Sequence, residues 1–226
     1  MTATRLALWP SDTSIFAQGY ALAGTPSGGV VYVGIDPGQH GAVGAVRVVA
    51  PGPGAAPRVV AAAVVHAAGA AGYQRPLAGA RRAQLDPLRA RAALRLVVGA
   101  VGEAPHVLVA LEALGLRPGE GVVSTSTAGV GHGVWRGVLG PLCADSVGWS
   151  WRQVQTQQVD RVMGLPPVGR RLRKGLVLSY GVEALVETTG ATAAQWREAL
   201  TPMGARVVSD GAGDALWMGL AMARGL

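Results

Sequence analysis

Apolar and polar positions along the chain fall into short β-branched runs followed by longer helical patterns. Residues 30–35 (Val-Val-Tyr-Val-Gly-Ile) form an uninterrupted apolar run, which predicts a buried strand. Asp36-Pro37-Gly38 follows, and the chain must turn there, because Pro fixes φ and Gly permits the reversal. Residues 41–49 then read as a second strand that returns as a hairpin. A Pro/Gly/Ala loop covers 50–57, and residues 58–65 read as a third strand. Residues 86–98 suit a helix with Asp86 as N-cap and Pro87 at its first position, exposing Arg89, Arg91 and Arg95. Residues 107–111 form another buried run that ends on Glu112. Beyond a glycine-rich loop, 127–142 is expected to be helical and 149–154 a strand. Two or three helices complete the chain, the last from Asp210 to about Arg224. Three consecutive strands followed by helices and further strands predict a mixed α/β fold, a five-stranded sheet flanked by helices.

The first 29 residues show no such pattern. Their apolar stretch over 6–9 is too short for a secretory signal and stops at Pro10. We read residues 1–29 as a flexible extension and 30–226 as one domain, a division that suits a chain of 226 residues. Few acids and several Ser and Thr in the first segment leave an organellar transit peptide as an alternative to a cytoplasmic protein. The longest apolar candidate, 94–111, is interrupted by Glu103, Pro105 and His106, so no membrane span is expected.

Charge narrows the function. The formal net charge is +7 and the isoelectric point is about 10.7. Lys174 is the sole lysine, so the positive charge is carried by arginine. Such a chain favours a polyanionic partner, although arginine, alanine and glycine also accumulate under codon bias. Cys143 is the sole cysteine, which excludes a disulfide framework or a cysteine metal site within the chain. Its apolar neighbours favour a buried structural thiol.

Against that basic background the 13 acids stand out. Asp36 and Glu112 each end an apolar strand, and ligands of α/β sheets bind beyond strand ends. Asp210 and Asp214 are spaced i, i+4 on one face of a helix whose continuation is almost wholly apolar. Clustered hard oxygens are what Mg2+ or Mn2+ requires. Two such ions can activate water on one side of a phosphate and stabilise the leaving oxygen on the other. Each acid taken alone also has a simpler role: Asp36 as a turn cap, Glu112 as a strand-end charge reaching water, Asp210 as a helix N-cap.

Between Arg152 and Lys174, six bases (Arg152, Arg161, Arg170, Arg171, Arg173 and Lys174) face one acid, Asp160. They are the candidates for contacts to DNA phosphates, or else a solvated basic face. A second set, Arg75, Arg81, Arg82, Arg89, Arg91 and Arg95, lies farther from the acids. Gly129, Gly133 and Gly137 share one helix face, which suggests close approach of another backbone, either the sheet or a second subunit. His40, His66, His106 and His132 have no metal-ligand spacing and read as structural. The Ser124-Thr125-Ser126-Thr127 run reads as a helix cap or a phosphate contact.

The motifs together resemble the RuvC-type Holliday-junction resolvases of the ribonuclease-H-like superfamily, with the phage and chloroplast types most similar. Val33-Gly34-Ile35-Asp36-Pro37-Gly38 is similar to the first motif of that family. Leu111-Glu112, with Pro118-Gly119-Glu120-Gly121 and the glycine-rich helix Gly131-His132-Gly133-Val134-Trp135-Arg136-Gly137, is similar to the second. Asp210-Gly211-Ala212-Gly213-Asp214-Ala215-Leu216 resembles the last. Ala212 stands where relatives often carry Arg, and the bacterial enzymes space the last acidic pair one residue closer. The resemblance implies a ribonuclease-H-like fold and a Mg2+- or Mn2+-dependent hydrolase, an endodeoxyribonuclease of DNA recombination and repair. It implies two ions per site held by Asp36, Glu112, Asp210 and Asp214, with Lys174 beside the scissile phosphate. It also implies a homodimer paired through the Gly129/Gly133/Gly137 helix, which makes two symmetric nicks in a four-way junction and leaves 5′-phosphate and 3′-hydroxyl ends. The alternatives are a non-catalytic DNA-binding relative, an RNA-directed ribonuclease H, and an actin-like ATPase or kinase. That last class needs a second phosphate loop, which the sequence lacks.

Overall fold

The structure is a computed structural model that describes residues 3–8, 17–23, 28–38, 40–50, 52, 55–67, 73–76, 83–102, 104–115, 122–203 and 205–226. In chain order its strands and helices are β1 (Ala3–Leu8), β2 (Ala17–Leu22), β3 (Val30–Asp36), β4 (Ala42–Val49), β5 (Arg58–His66), β6 (Gln74–Pro76), β7 (Ala83–Leu85) and α1 (Pro87–Val101). They continue with β8 (His106–Glu112), α2 (Val122–Asp145), β9 (Trp149–Val154), α3 (Thr156–Val162), α4 (Arg170–Thr189), α5 (Ala193–Ala199) and α6 (Asp210–Ala223).

The main sheet runs β1-β2-β5-β4-β3-β8-β9. β3, β4 and β5 form an antiparallel meander, while β8 and β9 lie parallel to β3. These five are the predicted strands, and the fold is the expected mixed α/β arrangement of a sheet flanked by helices. The expected count of five is corrected to seven. β1 and β2 come from the stretch read as a flexible extension, and they add to the open edge of β5. Gly19 makes that pairing possible, since a Cβ there would lie 2.0 Å from the carbonyl oxygen of Ala62. Their sequence offers no long apolar alternation, so the pairing edge of β5 decides their state rather than local pattern.

Strand periodicity sorts side chains into two cores. Val31, Val33 and Ile35 of β3 and Val107, Val109 and Leu111 of β8 face α1 and α2. The alternate positions, Tyr32 and Leu108 among them, face the layer of α4, α5 and α6. α1 begins as predicted: the Asp86 carboxylate accepts from the backbone N–H groups of Leu88 and Arg89, and Pro87 opens the helix. α2 is longer than expected. Residues 124–127 therefore lie inside its first turns and not ahead of it. Four helices follow β9, where two or three were expected. Cys143 is half-buried, and burial raises its thiol pKa. Among the described residues no helix is long and apolar enough to cross a membrane. The expectations placed on residues 1, 2, 9–16, 24–27, 51, 53, 54, 81, 82, 103 and 116–121 lie outside the described residues.

One feature of this packing positions the site. Gly34 of β3 pairs with Gly44 of β4, leaving a notch without side chains. α6 settles into it: a Cβ on Gly34 would lie 2.0 Å from the Ala215 carbonyl oxygen, and one on Gly44 would lie 2.9 Å from the Leu216 nitrogen. The helix backbone therefore rests on the strand backbone, and its first turns reach the β3–β4 turn.

Candidate functional site

Asp36 lies two residues beyond Gly34, so its side chain leaves β3 on the face that carries α6. Glu112 occupies the equivalent place on β8, since Ile35 pairs with Leu111 in the parallel register. α6 supplies the rest. Ser209 caps this helix, accepting from the Ala212 N–H and donating from Oγ to the His40 carbonyl at 3.1 Å. The capping role open to Asp210 in the sequence therefore belongs to Ser209. Asp210 begins the helix with its carboxylate turned to other partners, and Asp214 follows one turn later.

A single groove of about 1710 Å3 is lined by Asp36, Glu112, Asp210 and Asp214. Four of the six candidate bases, Arg161, Arg170, Arg173 and Lys174, line it as well. Arg152 and Arg171 do not. Arg152 sits on the edge strand β9, two residues before its end, and its guanidinium packs on the Met222 sulfur at 3.1 Å, at the far end of α6. Arg171 is exposed on the outer side of the first turn of α4.

Each acid is held differently. Asp36 accepts from the Gly38 N–H at 2.8 Å, so the turn-cap role is real and engages Oδ1. Its Oδ2 lies against α6, where a Cβ on Gly211 would be 2.7 Å away. The Gly38 carbonyl in turn accepts from Gln74 Nε2 at 3.1 Å, which fixes the turn from behind. Glu112 accepts from the Thr156 hydroxyl at 2.6 Å. Asp214 accepts from Arg173 Nη1 at 2.7 Å, and Asp210 accepts from Lys174 Nζ at 2.5 Å.

The electrostatics of Asp36 are the most perturbed. Burial pushes its carboxyl from the ordinary 3.8 up to about 7; the negative charges of Glu112 and Asp214 add to this, and the Gly38 N–H and Lys174 oppose it. Burial also raises Asp214, although Arg173 pulls the other way. A buried carboxylate crowded by others is destabilised unless a cation offsets it. As placed, no three His, Cys, Asp or Glu side chains among the described residues converge into a metal-binding group. Two of the four acids are instead occupied by cations of the chain itself.

No family model matches the sequence, and no curated protein matches it. Among solved structures the fold is similar to T. thermophilus RuvC in complex with Holliday junction substrate. That similarity spans 86% of this chain and 93% of the other at 17% identity, with a TM-score of 0.47.

Sequence reasoning missed Asp160. Arg173 binds it with two nitrogens, Nε at 2.6 Å and Nη2 at 2.9 Å, and Trp217 Nε1 donates to it at 3.3 Å. The signal was present, since Asp160 is the one acid inside the basic run, but nothing local to it tells which base it holds. Of the histidines, His66 is buried and donates from Nε2 to the Ala199 carbonyl at 3.1 Å, and burial lowers its pKa. His132 meets the Gln153 side chain at 3.0 Å. Both contacts fit the structural role expected of them. Among the described residues, Gly129, Gly133 and Gly137 pack against nothing: a Cβ at any of them would find no atom within 4 Å. Tight packing on the sheet therefore does not explain this stripe.

Proposed function

We propose that this chain is a metal-dependent endonuclease that nicks branched DNA. One observation carries the reading: four carboxylates from three separated elements, β3, β8 and α6, line one groove that is also lined by Arg161, Arg170, Arg173 and Lys174. An acidic floor with a basic rim suits a phosphodiester, whose charge must be held while its phosphorus is attacked.

The donor set fits hard divalent cations. It consists of carboxylate oxygens. Burial does most to push Asp36 up to about 7, and the repulsion from Glu112 and Asp214 that adds to it is what such cations relieve. Asp36, Glu112, Asp210 and Asp214 would hold two ions, Mg2+ or Mn2+. Divalent cations there supply Lewis acidity and charge neutralisation toward a phosphodiester.

The chain's own groups do the rest. The Gly38 N–H and Thr156 hydroxyl orient Asp36 and Glu112. Lys174, held to Asp210 by a half-exposed single contact, is free to turn to the phosphate as charge develops there. Arg161 and Arg170 follow the DNA backbone along the rim. Specificity for four-way junctions over linear duplex rests on the motif resemblance, as does the homodimer. The open glycine face of α2 is the surface through which two copies would pair, and two-fold symmetry suits paired nicks.

The test uses a labelled four-way junction and a matched linear duplex, each with Mg2+ or EDTA, beside Asp36→Asn. Paired metal-dependent nicks on the junction, lost in the variant, are expected. Binding without cutting in Mg2+ and Mn2+ would leave a DNA-binding module. Neither binding nor cutting would return the chain to the nucleotide-handling class, tested by ATP hydrolysis.

A further inference from the structure

Arg173 and Lys174 both pair with site carboxylates, yet the two pairs are built differently. Lys174 reaches Asp210 by one contact, and the side chains are 31% and 52% exposed. The Arg173 pair is enclosed, with side chains 16% and 17% exposed. Its guanidinium is shared between two acids. Nε and Nη2 lie on Asp160 as a two-point fork, and Nη1 alone reaches Asp214. Asp160 is itself steadied by Trp217, a residue of α6 three positions beyond Asp214. One arginine thus ties α3, α4 and α6 together at the groove wall.

We propose that Asp160 is a positioning residue that anchors Arg173 by its Nε/Nη2 edge. Nη1 then serves as counter-cation to Asp214 until a divalent ion loads, and is released toward the substrate phosphate when that ion takes the carboxylate. The inference rests on the metal-dependent reading above. Its physical logic is charge compensation. A half-buried guanidinium cannot lose its partner without penalty. Burial alone lowers the pKa of this one, and Asp160 and Asp214 more than reverse that. Because Asp160 keeps two of the three contacts, Asp214 can leave for a metal while the cation stays neutralised and aimed. The planar fork of arginine permits this division; an ammonium would not.

The experiment measures Mn2+ binding by titration calorimetry on the full chain, without DNA. It compares the natural protein with Arg173→Gln, Asp160→Asn and the double variant. Arg173→Gln removes the resident cation and should bind Mn2+ roughly tenfold more tightly. Asp160→Asn lets Arg173 close fully on Asp214 and should bind it roughly tenfold more weakly. The double variant decides between mechanisms. With no arginine to position, Asp160→Asn should add nothing, and the double should bind like Arg173→Gln. If charge alone mattered, the two changes would cancel and the double would match the natural protein, which would overturn the proposal and leave the nuclease reading intact. No Mn2+ binding by the natural protein or by Arg173→Gln would sink both. Thermal unfolding in EDTA checks folding. Should Asp160→Asn fail to fold, Trp217→Phe loosens Asp160 with no change of charge. Weaker Mn2+ binding is expected of it, and unchanged binding would count against the anchor.

Discussion

Gly34 of β3 lies directly beneath Ala215 of α6, so close that a Cβ on the glycine would stand 2.0 Å from the alanine's carbonyl oxygen. This contact between backbones sets the depth at which α6 rests, and with it the distance from Asp214 to Asp36. Gly34→Ala must therefore lift the helix or distort the strand. Overpacking against backbone has no flexible side chain to absorb it. We expect a loss of at least about 3 kcal/mol in denaturant unfolding. Mn2+ binding should be lost even where the variant folds.

Asp36 makes stability depend on pH in the metal-free protein. Its carboxyl titrates near 3.8 in the unfolded chain and at about 7 in the folded one. Between those values the folded state holds a proton that the unfolded state has released, so stability falls as pH rises. The contribution is complete below pH 4 and is gone once pH passes 7. Burial moves Asp214 in the same direction. Thermal midpoints in EDTA should drop from pH 4 to pH 8, and the drop should be smaller in Asp36→Asn. Saturating Mg2+ should flatten the curve by replacing the proton as counter-charge. A midpoint that rises over this range would contradict the desolvated placement of Asp36.

Arg161 and Arg170 line the groove without belonging to its carboxylate pairs. If they neutralise phosphates, each should contribute counterion release. Binding of an uncut junction by Asp36→Asn should then lose about 0.9 from the slope of log K against log salt for each arginine replaced by alanine. Arg152→Ala, whose guanidinium sits on Met222, should leave the slope unchanged.

The glycine stripe of α2 gives a test of assembly. Gly133 is exposed, and a Cβ there meets nothing among the described residues. In an isolated subunit Gly133→Ala should stabilise the helix by about 1 kcal/mol. Across a close two-fold contact the same methyl groups would collide. Sedimentation of the Gly129/Gly133/Gly137 triple alanine variant should show weaker dimerisation alongside a higher monomer melting temperature. An unchanged dimer would place the interface elsewhere.

The central sheet was legible because its signals are local. The apolar run over 30–35, the Asp36-Pro37-Gly38 turn and the Asp86-Pro87 helix start each depend on a few neighbouring residues. Ser209 was harder to distinguish from Asp210 as a cap, since both residue types accept from the same N–H groups and chain position separates them by one residue. β1 and β2 were not legible at all. They are strands because β5 offers an edge and Gly19 fits against it.

By itself the sequence determined the order of elements, the four acids at strand ends and on one helix face, and the basic run between Arg152 and Lys174. These follow from side-chain periods of two and near four, which any chain of this pattern must obey. The tertiary structure decided which charges meet. It seated α6 in the Gly34–Gly44 notch, sent Arg152 to Met222 rather than to the groove, and divided Arg173 between Asp160 and Asp214. Those choices hang on how far helices approach the sheet, and that distance is set by contacts between residues far apart in the chain.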